Sequence, residues 1–140
     1  MVIKTRDFGE INAEEQNIIR FQRPVLGFEG HSRYLLLHDE SMGHGFAWLQ
    51  SAEEPELCFI LVDPSLVMPD YMPVLPGDTA ALLGANDYEC WVLATIRESL
   101  AKSTVNLRSP IVINPETRLA GQFVLEQDYP VRYPLTKEAQ

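Results

Sequence analysis

The chain has 140 residues, 46% of them hydrophobic and 22% charged, with a formal net charge of −9. That length suits one domain able to bury roughly two-thirds of its unfolded surface, and the composition excludes a disordered chain. No apolar run approaches the roughly 20 residues of a membrane helix. The N-terminus turns acidic before the apolar core of a signal peptide can form, so a cytoplasmic protein is expected.

In chain order, residues 2–6 alternate apolar and polar, and Asp7-Phe8-Gly9-Glu10 supplies a turn into a short return strand at Ile11, a predicted hairpin. Residues 14–17 read as a polar loop and residues 18–21 as the next strand. Pro24, Gly27 and Gly30 make residues 23–30 irregular. Strands are predicted over 34–38 and 46–51, separated by the glycine-containing loop 39–45, and over 57–63, where Pro64 stops the run. Pro69, Pro73 and Pro76 exclude a regular helix over 67–76. The one predicted helix follows, over residues 78–84, with Asp78 or Gly77 as its cap and Gly84 as its terminator. Residues 88–96, 105–107, 111–113 and 122–125 complete the strands, and the tail from Asp128 is punctuated by proline. Short strands at regular spacing with a single helical segment exclude alternating βαβ units and indicate a mainly β fold. The expected architecture is a single-domain antiparallel β-barrel or sandwich with one or two short helices, spanning residues 1–140.

Charge is distributed unevenly. Between Arg33 and Arg97 there is no Lys or Arg, whereas ten acidic residues fall there, among them Glu53, Glu54 and Glu56 around Pro55. Phosphate repulsion argues against direct nucleic-acid binding by this portion. An acidic face can steer a basic protein partner, and acidic loops also serve solubility alone.

Chemistry-bearing constellations are scarce. His31, His38 and His44 form no HxH or HxxxH pair, and Cys58 and Cys90 lack CxxC spacing, so neither set reads as a metal site. Both cysteines fall in apolar strand-like runs and are expected as free thiols on neighbouring strands. Neither a nucleophile elbow nor a glycine-rich phosphate loop is present. Adjacent carboxylates such as Asp39-Glu40 and Glu53-Glu54 point to opposite faces of a strand or are solvated in loops. The expectation is a protein that is not an enzyme, with no catalytic, cofactor-binding or metal-binding residues and no cofactor.

The most specific stretch is Ser103–Asn114, STVNLRSPIVIN. It reads as two strands meeting at a corner, because Pro110 has no N–H for a sheet. Its wording resembles the Thr-x-Asn-Leu-x-x-Pro-Ile-Val-Ile-Asn segment of the flagellar assembly factor FliW family. Phe8-Gly9, Ile18-Ile19-Arg20-Phe21 and Leu26-Gly27-Phe28-Glu29 are similar to that family's opening, although Pro24-Val25 stands where Gly-Leu is usual. Ala47-Trp48-Leu49-Gln50-Ser51, followed by Pro55, Leu57, Phe59, Val62 and Pro64, resembles its middle strand pair. The resemblance implies a cytoplasmic regulator that binds the RNA-binding translational repressor CsrA and relieves its hold on flagellin messenger RNA. Free flagellin would compete by binding the regulator itself. The expected partners are therefore a CsrA-type repressor and flagellin, without direct nucleic-acid or membrane binding, and the free protein is expected to be a monomer. The alternative is a small β-barrel cofactor binder or enzyme of the flavin type.

Expected partner-binding positions are Thr104, Asn106, Arg108, Pro110 and Asn114 at the corner, where unpaired backbone groups would offer an edge, and Glu53, Glu54 and Glu56 in the acidic loop. Asn106 and Asn114 also fit a purely turn-forming role, since Asn bonds its own backbone at corners.

Overall fold

Eleven strands and one α-helix are found among residues 1–136, the part of the chain that the computed structural model describes. The strands are β1 (Val2–Lys4), β2 (Glu10–Asn12), β3 (Ile19–Arg23), β4 (Arg33–Leu37), β5 (Phe46–Ser51) and β6 (Cys58–Val62). After helix α1 (Thr79–Leu83) come β7 (Glu89–Thr95), β8 (Thr104–Val105), β9 (Ile111–Ile113), β10 (Leu119–Gln122) and β11 (Tyr133–Pro134). Seven of them close a barrel in the order β7-β6-β5-β4-β3-β10-β9 and back to β7. The mainly β barrel expected from the sequence is thus present. One pairing departs from the antiparallel expectation: β10 runs parallel to β3, with Ala120 opposite Phe21. The cause is parity. Strand directions cannot alternate all the way round a ring with an odd number of members, so a seven-strand ring needs a parallel pair.

The period-2 alternation of each strand sends one set of side chains inward. Registered pairs carry that set around the ring: Ile19 with Tyr34, Leu36 with Leu49, Leu49 with Phe59, Leu61 with Leu93, and Trp91 with Ile111. Ile113 with Ala120 and Ala120 with Phe21 close the circuit. These residues pack into one apolar cluster, so the barrel axis is filled with side chains, as expected for a small strand number.

Outward apolar faces need their own cover, and four segments supply it. The β1–β2 hairpin places Ile3 and Ile11 over Ile18 and Leu35. Residues 67–71 and the tail cover Val62, Val92, Val105 and Leu107. Helix α1 sets Leu83 against Val112 and Phe123. Gly84, with φ of 82°, ends that helix as expected. Asp78 does not cap it with its side chain; the carboxylate instead forms an ion pair with Arg23 at 2.6 Å. The proline-punctuated tail contributes β11, which pairs with β8. Pro134 is tolerated there because an edge strand can lack one donor.

Candidate partner-binding surface

The Ser103–Asn114 stretch forms both halves of an interrupted strand along one side of β7. Val105 lies opposite Ala94, and Ile111 opposite Trp91. Residues 106–110 thus bulge out over the interval that Val92 and Leu93 fill on β7. Asn106 sets the bend: its Oδ1 accepts from the Arg108 and Ser109 N–H groups, each at 3.1 Å. This is an Asx turn, in which the side chain replaces a backbone acceptor.

The corner differs from the expected open edge. The Asn106 N–H donates to the Leu93 carbonyl at 2.9 Å, and the Leu107 N–H to the Pro130 carbonyl at 3.1 Å. The Tyr71 hydroxyl donates to the Leu107 carbonyl at 2.7 Å. Leu125 N–H and Phe123 N–H donate to the carbonyls of Arg108 and Pro110, and Gln122 Nε2 to that of Ser109. Buried backbone groups must be paired, and here residues remote in sequence do the pairing. A partner cannot add a strand to groups already satisfied in this way.

Exposure divides the expected site residues. Pro110 and Asn114 are buried, so any part they take in binding is through the shape of the corner. Asn114 Nδ2 donates to the Leu83 carbonyl at 2.8 Å, latching the end of α1, while its Oδ1 accepts from the Glu116 N–H at 3.0 Å. Thr104, Asn106 and Arg108 are half-buried. The Arg108 guanidinium reaches the fully exposed carboxylate of Asp128 at 3.1 Å.

Glu53, Glu54 and Glu56 are all exposed, in the loop between β5 and β6. Two buried side chains shape that loop. Ser51 Oγ accepts from the Glu53 and Glu54 N–H groups at 3.1 and 3.0 Å. Gln50 is fully buried, and its Nε2 lies within 3.1–3.2 Å of the carbonyls of Ser51, Pro55 and Leu57. Gln50 Oε1 accepts from the Arg6 N–H at 3.0 Å, joining the N-terminal hairpin to the acidic loop. Sequence reasoning missed Gln50, because a polar residue in an alternating strand reads as solvent-facing. Thr104 lies near the barrel end where β6 begins and this loop projects, whereas Asn114 lies at the other end, beside the start of β7. The expected residues therefore do not converge on one patch.

The remaining reactive groups are subdued. Cys58 and Cys90 are free thiols on the neighbouring strands β6 and β7. Burial pushes the Cys58 thiol up to about 11 and the Cys90 thiol up to about 12, so neither is a thiolate near neutrality. Among the described residues no group of three or more His, Cys, Asp or Glu side chains is arranged to hold a metal ion, and no helix is long and apolar enough to cross a membrane.

Comparison with known proteins is consistent along the whole chain. Residues 2–135 match the family model described as FliW protein. A flagellar assembly factor FliW of Ruminiclostridium cellulolyticum is 35% identical over 144 residues, covering 100% of this chain and 97% of that protein. One from Syntrophus aciditrophicus is 38% identical over 141 residues, covering 98% and 89%. A crystal structure of the flagellar assembly factor FliW superposes with a TM-score of 0.91 at 32% identity and covers 99% of both chains.

Proposed function

This chain belongs to the FliW family of flagellar assembly factors, and on that premise we propose that it is a non-catalytic, partner-switching regulator acting in the cytoplasm. It binds a CsrA-type translational repressor and releases flagellin messenger RNA from it. Unassembled flagellin binds the regulator in turn and so restores repression. Residues 1–140 act as one FliW-like domain, monomeric when free. The observation that carries the reading is the family match along essentially the full chain. The charge distribution supports it: a chain of net charge −9, with an exposed acidic loop, docked beside a basic RNA-binding protein repels phosphate.

A gel-shift titration tests the proposal. Adding this protein to the repressor from the same organism should lower the repressor's affinity for flagellin leader RNA, and flagellin should reverse the effect. If the mechanism is allosteric, RNA must weaken regulator binding by the same factor. Undiminished RNA binding at saturating regulator would overturn the reading.

A further inference from the structure

Beyond the corner and the acidic loop, the surface carries a groove with a cavity of about 530 Å³ between residues 74–77 and 124–127. Val74, Leu75, Pro76 and Val124 line it, together with Glu126 and Gln127. Val74 is 69% exposed and Val124 53%, and Met72 beside them is 74% exposed. Large side chains left this bare in a cluster mark interaction surfaces more often than scattered single ones do.

The backbone along one wall defines what fits. The Phe123 and Leu125 N–H groups donate to Pro110 and Arg108 at 3.1 and 2.8 Å, and both side chains are buried. Between and after them Val124 and Glu126 are exposed. In extended chain, main-chain groups alternate sides just as side chains alternate faces. The Val124 N–H and carbonyl are therefore turned away from the corner; the chain bends at Glu126 and Gln127, and among the described residues neither Val124 nor Glu126 has a main-chain partner. Strand β3, which pairs with β10 on that side, ends at Arg23 before Pro24, so its ladder does not continue beside residues 123–126.

The opposite wall already engages an amide. Gln127 Nε2 donates to the Met72 carbonyl at 2.9 Å, and its Oε1 accepts from the Val74 N–H at 2.6 Å. A carbonyl and the N–H two residues later are the pair that one residue of a neighbouring parallel strand bonds through its own N–H and C=O, and here the Gln127 side-chain amide takes that residue's place. At the other end the walls are bridged by Arg23, whose guanidinium lies 4.9 Å from the centre of the Phe123 ring and pairs with Asp78.

We propose that this groove binds an extended, apolar peptide segment of a protein partner by strand addition along Val124–Glu126. The segment's main chain bonds the free edge, and its alternate side chains lie on Val74, Leu75 and Pro76. Charge sets the flank. Asp78 and Asp128 are paired with arginines, whereas Glu126 has no ion pair among the described residues. A Lys or Arg beside the apolar run therefore complements it, and an acidic residue there is rejected.

The probe is a short capped peptide of alternating valine and threonine flanked by lysine, labelled for fluorescence anisotropy. Saturable binding is expected. Val74→Asp and, separately, Val124→Lys should each weaken it by at least about tenfold, as for a central apolar contact. Both positions are exposed, so each variant should fold. Methylating alternate peptide nitrogens of the probe should abolish binding, and amide exchange at Val124 and Glu126 should slow only with the unmethylated peptide. Equal binding of the methylated peptide, an unchanged affinity for Val74→Asp, or no binding at millimolar peptide would overturn the proposal. None of these outcomes bears on the RNA gel shift, so the two readings fail separately.

Discussion

Asn106 and Asn114 belong to the most specific stretch of the sequence, and each spends its side chain on backbone. Asn106→Ala removes the acceptor of two N–H bonds and should cost about 1–3 kcal/mol in urea denaturation. Asn106→Asp retains an acceptor and should cost less. If the folded Asp variant still loses the repressor or flagellin, Asn106 also contacts a partner. Gln50→Leu fills similar space but leaves the Ser51 and Pro55 carbonyls and the Arg6 N–H without the partner Gln50 gave them, while the Leu57 carbonyl keeps the Ser51 N–H. We expect a loss of a few kcal/mol and faster amide exchange at Arg6; unchanged exchange would separate the hairpin from the acidic loop. The turn-forming role of the asparagines was legible, since it follows from local chemistry. The role of Gln50 was not, because its burial depends on the folding back of both the 52–57 loop and the N-terminal hairpin. Titration is also decided at single residues. Cys58, Cys90 and Tyr34 are held protonated by burial, at about 11, 12 and 12 against ordinary values of 9.0, 9.0 and 10.0. Below pH 9 both folded and unfolded chains keep these protons, so their contribution is fully present. Between about pH 9 and 12 the unfolded chain releases protons that the folded chain retains, and stability falls. A urea midpoint that stays flat from pH 8 to 11 would contradict this.

Among the elements, those defined by their own alternation were readable, and those defined by a partner were not. Phe46–Ser51 and Ile111–Ile113 lie where the apolar pattern predicts strands. A strand was expected over 122–125 but is found at Leu119–Gln122. The apolar pair Phe123 and Leu125 is extended and hydrogen-bonded, but it faces an irregular corner and so forms no ladder. The parallel pairing of β3 with β10 arises from the parity of the ring, which no local window contains. Helix α1 depends most on its surroundings. Five residues cannot sustain a helix alone, so buried Leu83 and the latch from Asn114 and Thr117 to the Leu83 carbonyl hold it. Asn114→Ala should therefore cost about 1–3 kcal/mol and raise amide exchange in residues 79–84 above that of the barrel strands. Uniform exchange across the protein would mean that α1 is not separately latched.

For the molecule as a whole, the exposed acidic loop was legible because Pro55 and three glutamates cannot sit in a ladder, whereas closure of the corner was not. The donors and acceptors that close the corner come from Tyr71, Leu93, Gln122, Phe123, Leu125 and Pro130, joined to it only by the fold. This leaves charge as the long-range feature through which the acidic loop can act. Glu53, Glu54 and Glu56 project from a loop whose backbone is held by buried Gln50 and Ser51, so their charge can be reversed without disturbing the barrel. Replacing all three with Lys changes the net charge by six units, from −9 to −3, since each substitution removes one negative charge and adds one positive. Association with a basic repressor should slow, with dissociation much less affected, because distributed charge acts mainly on encounter. The difference between wild type and variant should shrink as salt rises, since exposed charges are screened within about 8 Å at physiological ionic strength. Stopped-flow association across a salt series measures both effects. A salt-independent loss would indicate damaged packing, and equal rates at low salt would leave the loop a role in solubility alone.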